Sequence, residues 1–108
     1  MALKEHTFTV DSKGDILPAK TKAKKGQRVV VTPIGVPFTG EVYAEKDGVD
    51  VCAELFGIAG LDHMTLSEPY TIATTAVPGI YFIVGSVDGH KTMTSTGELH
   101  VGSPGDDD

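Results

Sequence analysis

Turn signals cut this chain into short pieces, and that segmentation most restricts what it can fold into. Gly14-Asp15, Lys25-Gly26, Pro33 and Pro37, Lys46-Asp47-Gly48 and Val77-Pro78-Gly79 follow one another along 108 residues. Each marks a place where a regular element must end. Between them apolar and polar residues alternate. Residues 6–10 set Phe8 and Val10 on one side. Leu17, Ala19, Thr21 and Ala23 then share one face, and Lys20, Lys22 and Lys24 share the other. Residues 28–32 hold the β-branched run Val29-Val30-Val31, which suits a central strand. Residues 40–45, 70–75, 80–84 and 97–101 complete the set.

Residues 51–58 read two ways. Val51, Leu55 and Ile58 fit a short helix, whereas Val51, Ala53 and Leu55 fit a strand. The expectation is therefore an all-β fold: an antiparallel Greek-key β-sandwich or barrel of 7–8 strands, with room for one short helix near 52–60. Composition agrees, since the chain has 13 Gly, no Trp, many Thr and Val, and little Leu, Gln or Arg. Residues 1–102 are expected to form one domain and residues 103–108 an acidic flexible tail. That length builds a modest core without disulfides, and Cys52 has no second cysteine to pair with.

The net charge of −6 disfavours a nucleic-acid backbone as partner. Its distribution is uneven: residues 1–28 carry seven Lys/Arg against three acids, and residues 29–108 carry two against twelve. One basic margin on an acidic remainder could support head-to-tail association; the plainer reading is a solvated face. No apolar run reaches membrane-spanning length, and residues 2–6 do not resemble a signal peptide. No membrane partner is expected, and the favoured location is the cytoplasm or a virion-type assembly.

Pro78-Gly79-Ile80-Tyr81 leads into Gly85-Ser86-Val87-Asp88-Gly89-His90 and then into Gly97-Glu98-Leu99-His100-Val101. Upstream stands Lys24-Lys25-Gly26-Gln27-Arg28-Val29-Val30-Val31. These stretches resemble the cupredoxin, or blue-copper, family. In that family Pro-Gly-x-Tyr runs to Cys-Ser-Val-Pro-Gly-His, a short Met-bearing loop and Gly-x-Leu-x-Val, and an earlier strand opens Lys-x-Gly-Asp-x-Val. The resemblance spans most of the chain and is weakest between residues 45 and 68. It implies the same sandwich fold.

A blue-copper centre needs two imidazoles, a thiolate and a weak axial thioether. The resemblance places His90 at the second imidazole and Gly85 at the thiolate. The first imidazole, normally in Val-Pro-His-Asn, falls in Val36-Pro37-Phe38-Thr39, and the axial position falls on Ser95 with Met93 nearby. One ligand of four is kept, so a type-1 copper site is not expected and no cofactor is assigned. His63-Met64, His90, Met93, His100 and Cys52 form a loose set of soft ligands without zinc-motif spacing. Of these, His90, Met93 and His63 are the weak candidates for a rearranged copper or zinc site. Asp47-Gly48-Val49-Asp50 lacks the ordered spacing of a calcium loop.

Enzymatic signatures are missing. There is no Gly-x-Ser-x-Gly elbow and no phosphate-binding glycine loop, and the flanks of Cys52 suggest a buried thiol. Tyr81, early in its strand, could reach back to lock a corner as in the tyrosine corner, with Pro78, Gly79 and Gly85 as structural partners. Phe38 is expected to fill the space beside Gly85.

These residues lead to the expectation of a non-catalytic, copper-free structural or protein-interaction module, of the kind that serves as a subunit in a virion- or filament-type assembly. It would bind a protein partner or itself through Lys20, Lys22, Lys24, Lys25 and the apolar loop 34–38 with Phe38. The segment from Leu55 to Met64 is a further candidate surface. The alternatives are a metal-binding or electron-transfer protein with a rearranged site, and a small carbohydrate-binding sandwich. The latter is disfavoured by the absence of Asn and Trp.

Overall fold

In the computed structural model, residues 4–35, 38–87, 90–91 and 96–102 are described. Two sheets face each other. The first has the order β2-β1-β4-β7, built from β1 (Glu5–Val10), β2 (Ile16–Leu17), β4 (Arg28–Pro33) and β7 (Tyr70–Thr71). The second has the order β3-β10-β8-β5-β6, from β3 (Lys20–Lys24), β5 (Glu41–Lys46), β6 (Val49–Asp50), β8 (Gly79–Val87) and β10 (Gly97–Gly102). The two-residue β9 (His90–Lys91) adds to β8. A single short helix among the described residues, α1 (Cys52–Phe56), leaves the β6 edge.

The all-β sandwich matches the expectation, but the sheets are mixed rather than wholly antiparallel. β1 runs parallel to β4, with Phe8 opposite Val31, and β10 runs parallel to β3, with Leu99 opposite Thr21. The reason lies in the chain path. After β2 the chain crosses to the second sheet for β3 and returns for β4, so β4 meets β1 after a crossover and not through a hairpin. Ten short strands are described in place of seven or eight, because β2, β6, β7 and β9 are two-residue pairings. The strand expected over residues 70–75 stops at Thr71. Leu17 does not share a strand with Ala23: it ends β2 in the other sheet and stands exposed.

Alternation explains which residues face inward. Phe8 and Val10 of β1 and Val29 and Val31 of β4 meet Val42 and Ala44 of β5, Tyr81 and Ile83 of β8, and Leu99 and Val101 of β10. Val30 points to the opposite face of β4 and is buried as well, as befits a strand flanked by β1 and β7. The ambiguous stretch resolves as helix. Cys52, Leu55 and Phe56 turn one face inward, and Gly57 closes the last turn at φ 65°, donating its N–H to the Ala53 carbonyl. Phe56 packs on Tyr70 with ring centroids 5.0 Å apart.

Buried polar groups are paired. Gln27 Oε1 accepts from the Lys24 N–H at 3.0 Å and lies 2.7 Å from Nε2 of the buried His6. Because that oxygen can only accept, Nε2 of His6 carries the hydrogen. No helix among the described residues is long and apolar enough to cross a membrane.

Candidate functional site

Gly85 lies on the inward face of β8, opposite Val42 of β5, and is buried. A side chain there would have nowhere to go. A Cβ on Gly85 would fall 2.4 Å from the carbonyl oxygen of Gly14 and 3.0 Å from its Cα. Gly14 belongs to the tight loop between β1 and β2, which fastens itself locally. Asp11 Oδ1 accepts the N–H groups of Lys13 (2.8 Å) and Asp15 (3.1 Å), and the Gly14 N–H donates to the Asp11 carbonyl (3.0 Å). A φ of 88° at Gly14 makes this path natural for glycine. Backbone thus fills the space where the resemblance would require a thiolate.

Phe38 was expected to fill that space, but the atoms nearest to a Cβ on Gly85 all belong to Gly14. The Phe38 ring is turned into the core at 6% exposure, with Cζ 2.6 Å from where a Cβ on Gly40 would stand. Burying an apolar ring against a glycine removes more apolar area from water than displaying it on a loop. Gly40 is also pressed by the Ser86 carbonyl oxygen, 1.8 Å from the same Cβ position. Gly85 within β8 and Gly40 just before β5 each leave room for another part of the chain.

The remaining ligand candidates are not gathered. The β9 backbone places His90 opposite Val87, but its side chain and the whole of Met93 lie outside the described residues. His63 is half-buried among carboxylates, with Nδ1 2.7 Å from Asp62 Oδ1 and 3.2 Å from Glu41 Oε2. Tyr43 donates to Glu41 Oε1 at 3.0 Å, and that bond to a carboxylate raises its phenol above the ordinary range. His100 Nε2 sits 3.0 Å from Glu98 Oε1. Cys52 is fully buried, and its Sγ accepts the Ala44 N–H at 3.1 Å. Burial pushes this thiol up to about 12, so it offers neither nucleophile nor ligand. Among the described residues no three His, Cys, Asp or Glu side chains are grouped to hold a metal.

At the other end of β8, Pro78 and Gly79 lead into the strand, and the Tyr81 hydroxyl donates back to the Val77 carbonyl. The Lys46 ammonium lies 5.5 Å from the Tyr81 ring centre, within cation–π reach. Lys20, Lys22 and Lys24 stand along β3, an edge of the second sheet, with Lys25 in the turn that follows. In the segment from Leu55 to Met64, both end residues and Phe56 are buried, while Ile58 remains 44% exposed.

The outward face of the second sheet was not singled out by the sequence. Register aligns Lys20, Glu98, Phe82, Glu45 and Asp50 in one row across β3, β10, β8, β5 and β6. Lys22, His100 and Ile80 form the next row. Beside Phe82 runs a groove of about 260 Å³ lined by Glu45, Gly48, Val84 and Thr96. The alternation of residues 80–84 was legible; which strands flank them was not.

No protein-family model matches the sequence, and no curated relative does. Among solved structures, a pseudoazurin from Sinorhizobium meliloti superposes with TM-score 0.55 at 18% identity, covering 95% of this chain and 77% of that one. A sodium-dithionite-reduced auracyanin from the photosynthetic bacterium Roseiflexus castenholzii gives TM-score 0.53 at 15% identity, covering 94% and 99%. The chain therefore has a cupredoxin-like fold. The copper that the fold implies does not fit the residues present, because the thiolate position is a glycine covered by backbone.

Proposed function

We propose that this chain is a copper-free, non-catalytic cupredoxin-like module that works through protein contact, as a structural or assembly component. The observation that carries the reading is the Gly14 backbone lying over Gly85. A site that had merely lost its metal would keep a cavity, whereas here the β1–β2 loop fills the position and is fixed there by Asp11. The buried, hard-to-ionise Cys52 and the carboxylate-bound His63 support the same conclusion, since neither is presented for chemistry. With the interior closed, the surface is what the protein has to offer, and its charge is strongly sorted between the first 28 residues and the rest.

Titration with Cu(II), Cu(I) and Zn(II), followed by calorimetry and visible absorption, tests the reading. The expected result is no stoichiometric binding and no thiolate-to-copper band. A 1:1 site of submicromolar affinity would overturn it.

A further inference from the structure

The outward face of the second sheet is divided into three parts by its strand order. β8 is central, with β10 and β3 on one side and β5 and β6 on the other. The β3 margin carries Lys20, Lys22 and Lys24. The opposite margin carries Asp50, with Asp47 in the turn before its strand; Glu45, in the same row as Asp50, is buried. Between them the centre is apolar: Ile80 is 43% exposed and Phe82 36%, and the groove opens beside Phe82. Glu98 on β10 stands beside Lys20, with Oε1 3.0 Å from Nε2 of His100, and offsets one lysine charge of the basic half. An apolar centre carrying an aromatic anchor, with charge at the rim, is the layout of a protein interface.

The charge pattern also limits what can cover this face. A row of lysines on an edge strand opposes pairing with an identical row, so β3-to-β3 edge association is disfavoured. Face-to-face stacking of two copies has two simple symmetric forms. A two-fold axis lying between the sheets and across the strands sets lysine over lysine. An axis lying between the sheets and along the strands exchanges the two halves. It sets the β3 margin of each copy over the β5–β6 margin of the other, Lys20 and Lys22 toward Asp50 and Asp47, and brings the two Phe82 rings together near the axis. Only the second arrangement sets opposite charges together at both margins; it also lays Glu98 of each copy over β5 of the other, where Glu45 is buried, and it closes after two subunits.

We infer that the outward face of the second sheet binds a second copy of this chain about a two-fold axis parallel to β8, with Phe82 at its centre and the lysine and aspartate margins as reciprocal contacts. This rests on the reading of the chain as a contact module and specifies the partner.

Sedimentation equilibrium and light scattering on the full chain, from about 10 µM to about 1 mM, test it. The expected result is a monomer–dimer equilibrium that stops at two. Its dissociation constant should rise severalfold between about 50 and 500 mM salt, as charge contacts are screened. Phe82→Glu, with its fold checked by circular dichroism, should weaken the dimer more than tenfold. Lys20→Glu/Lys22→Glu should be monomeric alone, as should Asp47→Lys/Asp50→Lys, and mixing the two should restore a heterodimer. If the aspartate variant does not fold, Phe82→Glu and the lysine variant decide the matter. A strict monomer at about 1 mM in low salt overturns the inference, as does a dimer indifferent to Phe82→Glu, growth into longer polymers, or failure of two folded charge variants to pair. None of these results touches the metal titration, so loss of the dimer and loss of the copper-free reading can be told apart.

Discussion

The carbonyl oxygen of Gly14 stands where the first carbon of a side chain on Gly85 would have to be, 2.4 Å from that position. Two glycines far apart in sequence thereby fix how closely the β1–β2 loop approaches β8. The contact is backbone against backbone, so neither side can yield by changing a rotamer.

Gly85→Cys therefore does not rebuild a metal site. It should destabilise the fold by about 1–3 kcal/mol, as overpacking does, and should bring no visible copper band. Urea denaturation and a copper titration of the same variant check both parts.

Gly40→Ala should cost at least as much as Gly85→Ala, because the Ser86 carbonyl oxygen lies only 1.8 Å from its Cβ position. Gly97→Ala, which meets the Phe8 and Ile16 side chains at 2.7 and 2.8 Å, should cost less than Gly40→Ala, since side chains can shift. Denaturation midpoints of the three variants give the order directly.

Cys52 makes stability depend on pH. Its folded thiol is pushed up to about 12, above the ordinary thiol value near 8.5 of the unfolded chain. Below the unfolded value both states hold the proton and the stabilisation is complete. Between the two values the unfolded chain alone loses it, so stability falls by about 1.4 kcal/mol per pH unit and levels off near pH 12. Denaturation at pH 9, 10 and 11 should show this slope, with pH 8 on the plateau, and Cys52→Ala should flatten it. A thiol reagent should react with the native protein only at the rate of opening.

Removing the acceptor shared by His6 and Lys24 should be costly. Gln27→Leu leaves the Nε2–H of a buried imidazole and a backbone N–H without their partner, a loss of about 1–3 kcal/mol. Gln27→Glu keeps the acceptor and should retain more stability. Thermal unfolding of the pair separates acceptor loss from loss of packing.

Tyr81→Phe should cost less, about 0.5–1.5 kcal/mol, because the hydroxyl donates to a carbonyl on the exposed Val77, which water can solvate instead. Calorimetric midpoints of the two proteins measure it.

Alternation at residues 6–10, 28–32 and 97–101 announces both the strand and its inward face, because side-chain direction in a strand has a period of two. Turn residues such as Lys25-Gly26 and Asp47-Gly48 mark where strands stop for equally local reasons. The substitution pattern at Phe38 and Gly85 was legible too, since a ligand that cannot coordinate is visible in a letter. What would occupy the space was not. Asp11 to Asp15 reads as a turn, and nothing in it says that the turn lies over β8. Local pattern was enough for the strands at residues 6–10, 28–32 and 97–101, for their faces and for the missing thiolate. Long-range packing was needed to set β1 parallel to β4, to lay Gly14 over Gly85, and to bring Lys20, Phe82 and Asp50 into one row. The reason is that a strand's period is written in neighbouring residues, whereas its partners are chosen by burial shared across the whole chain.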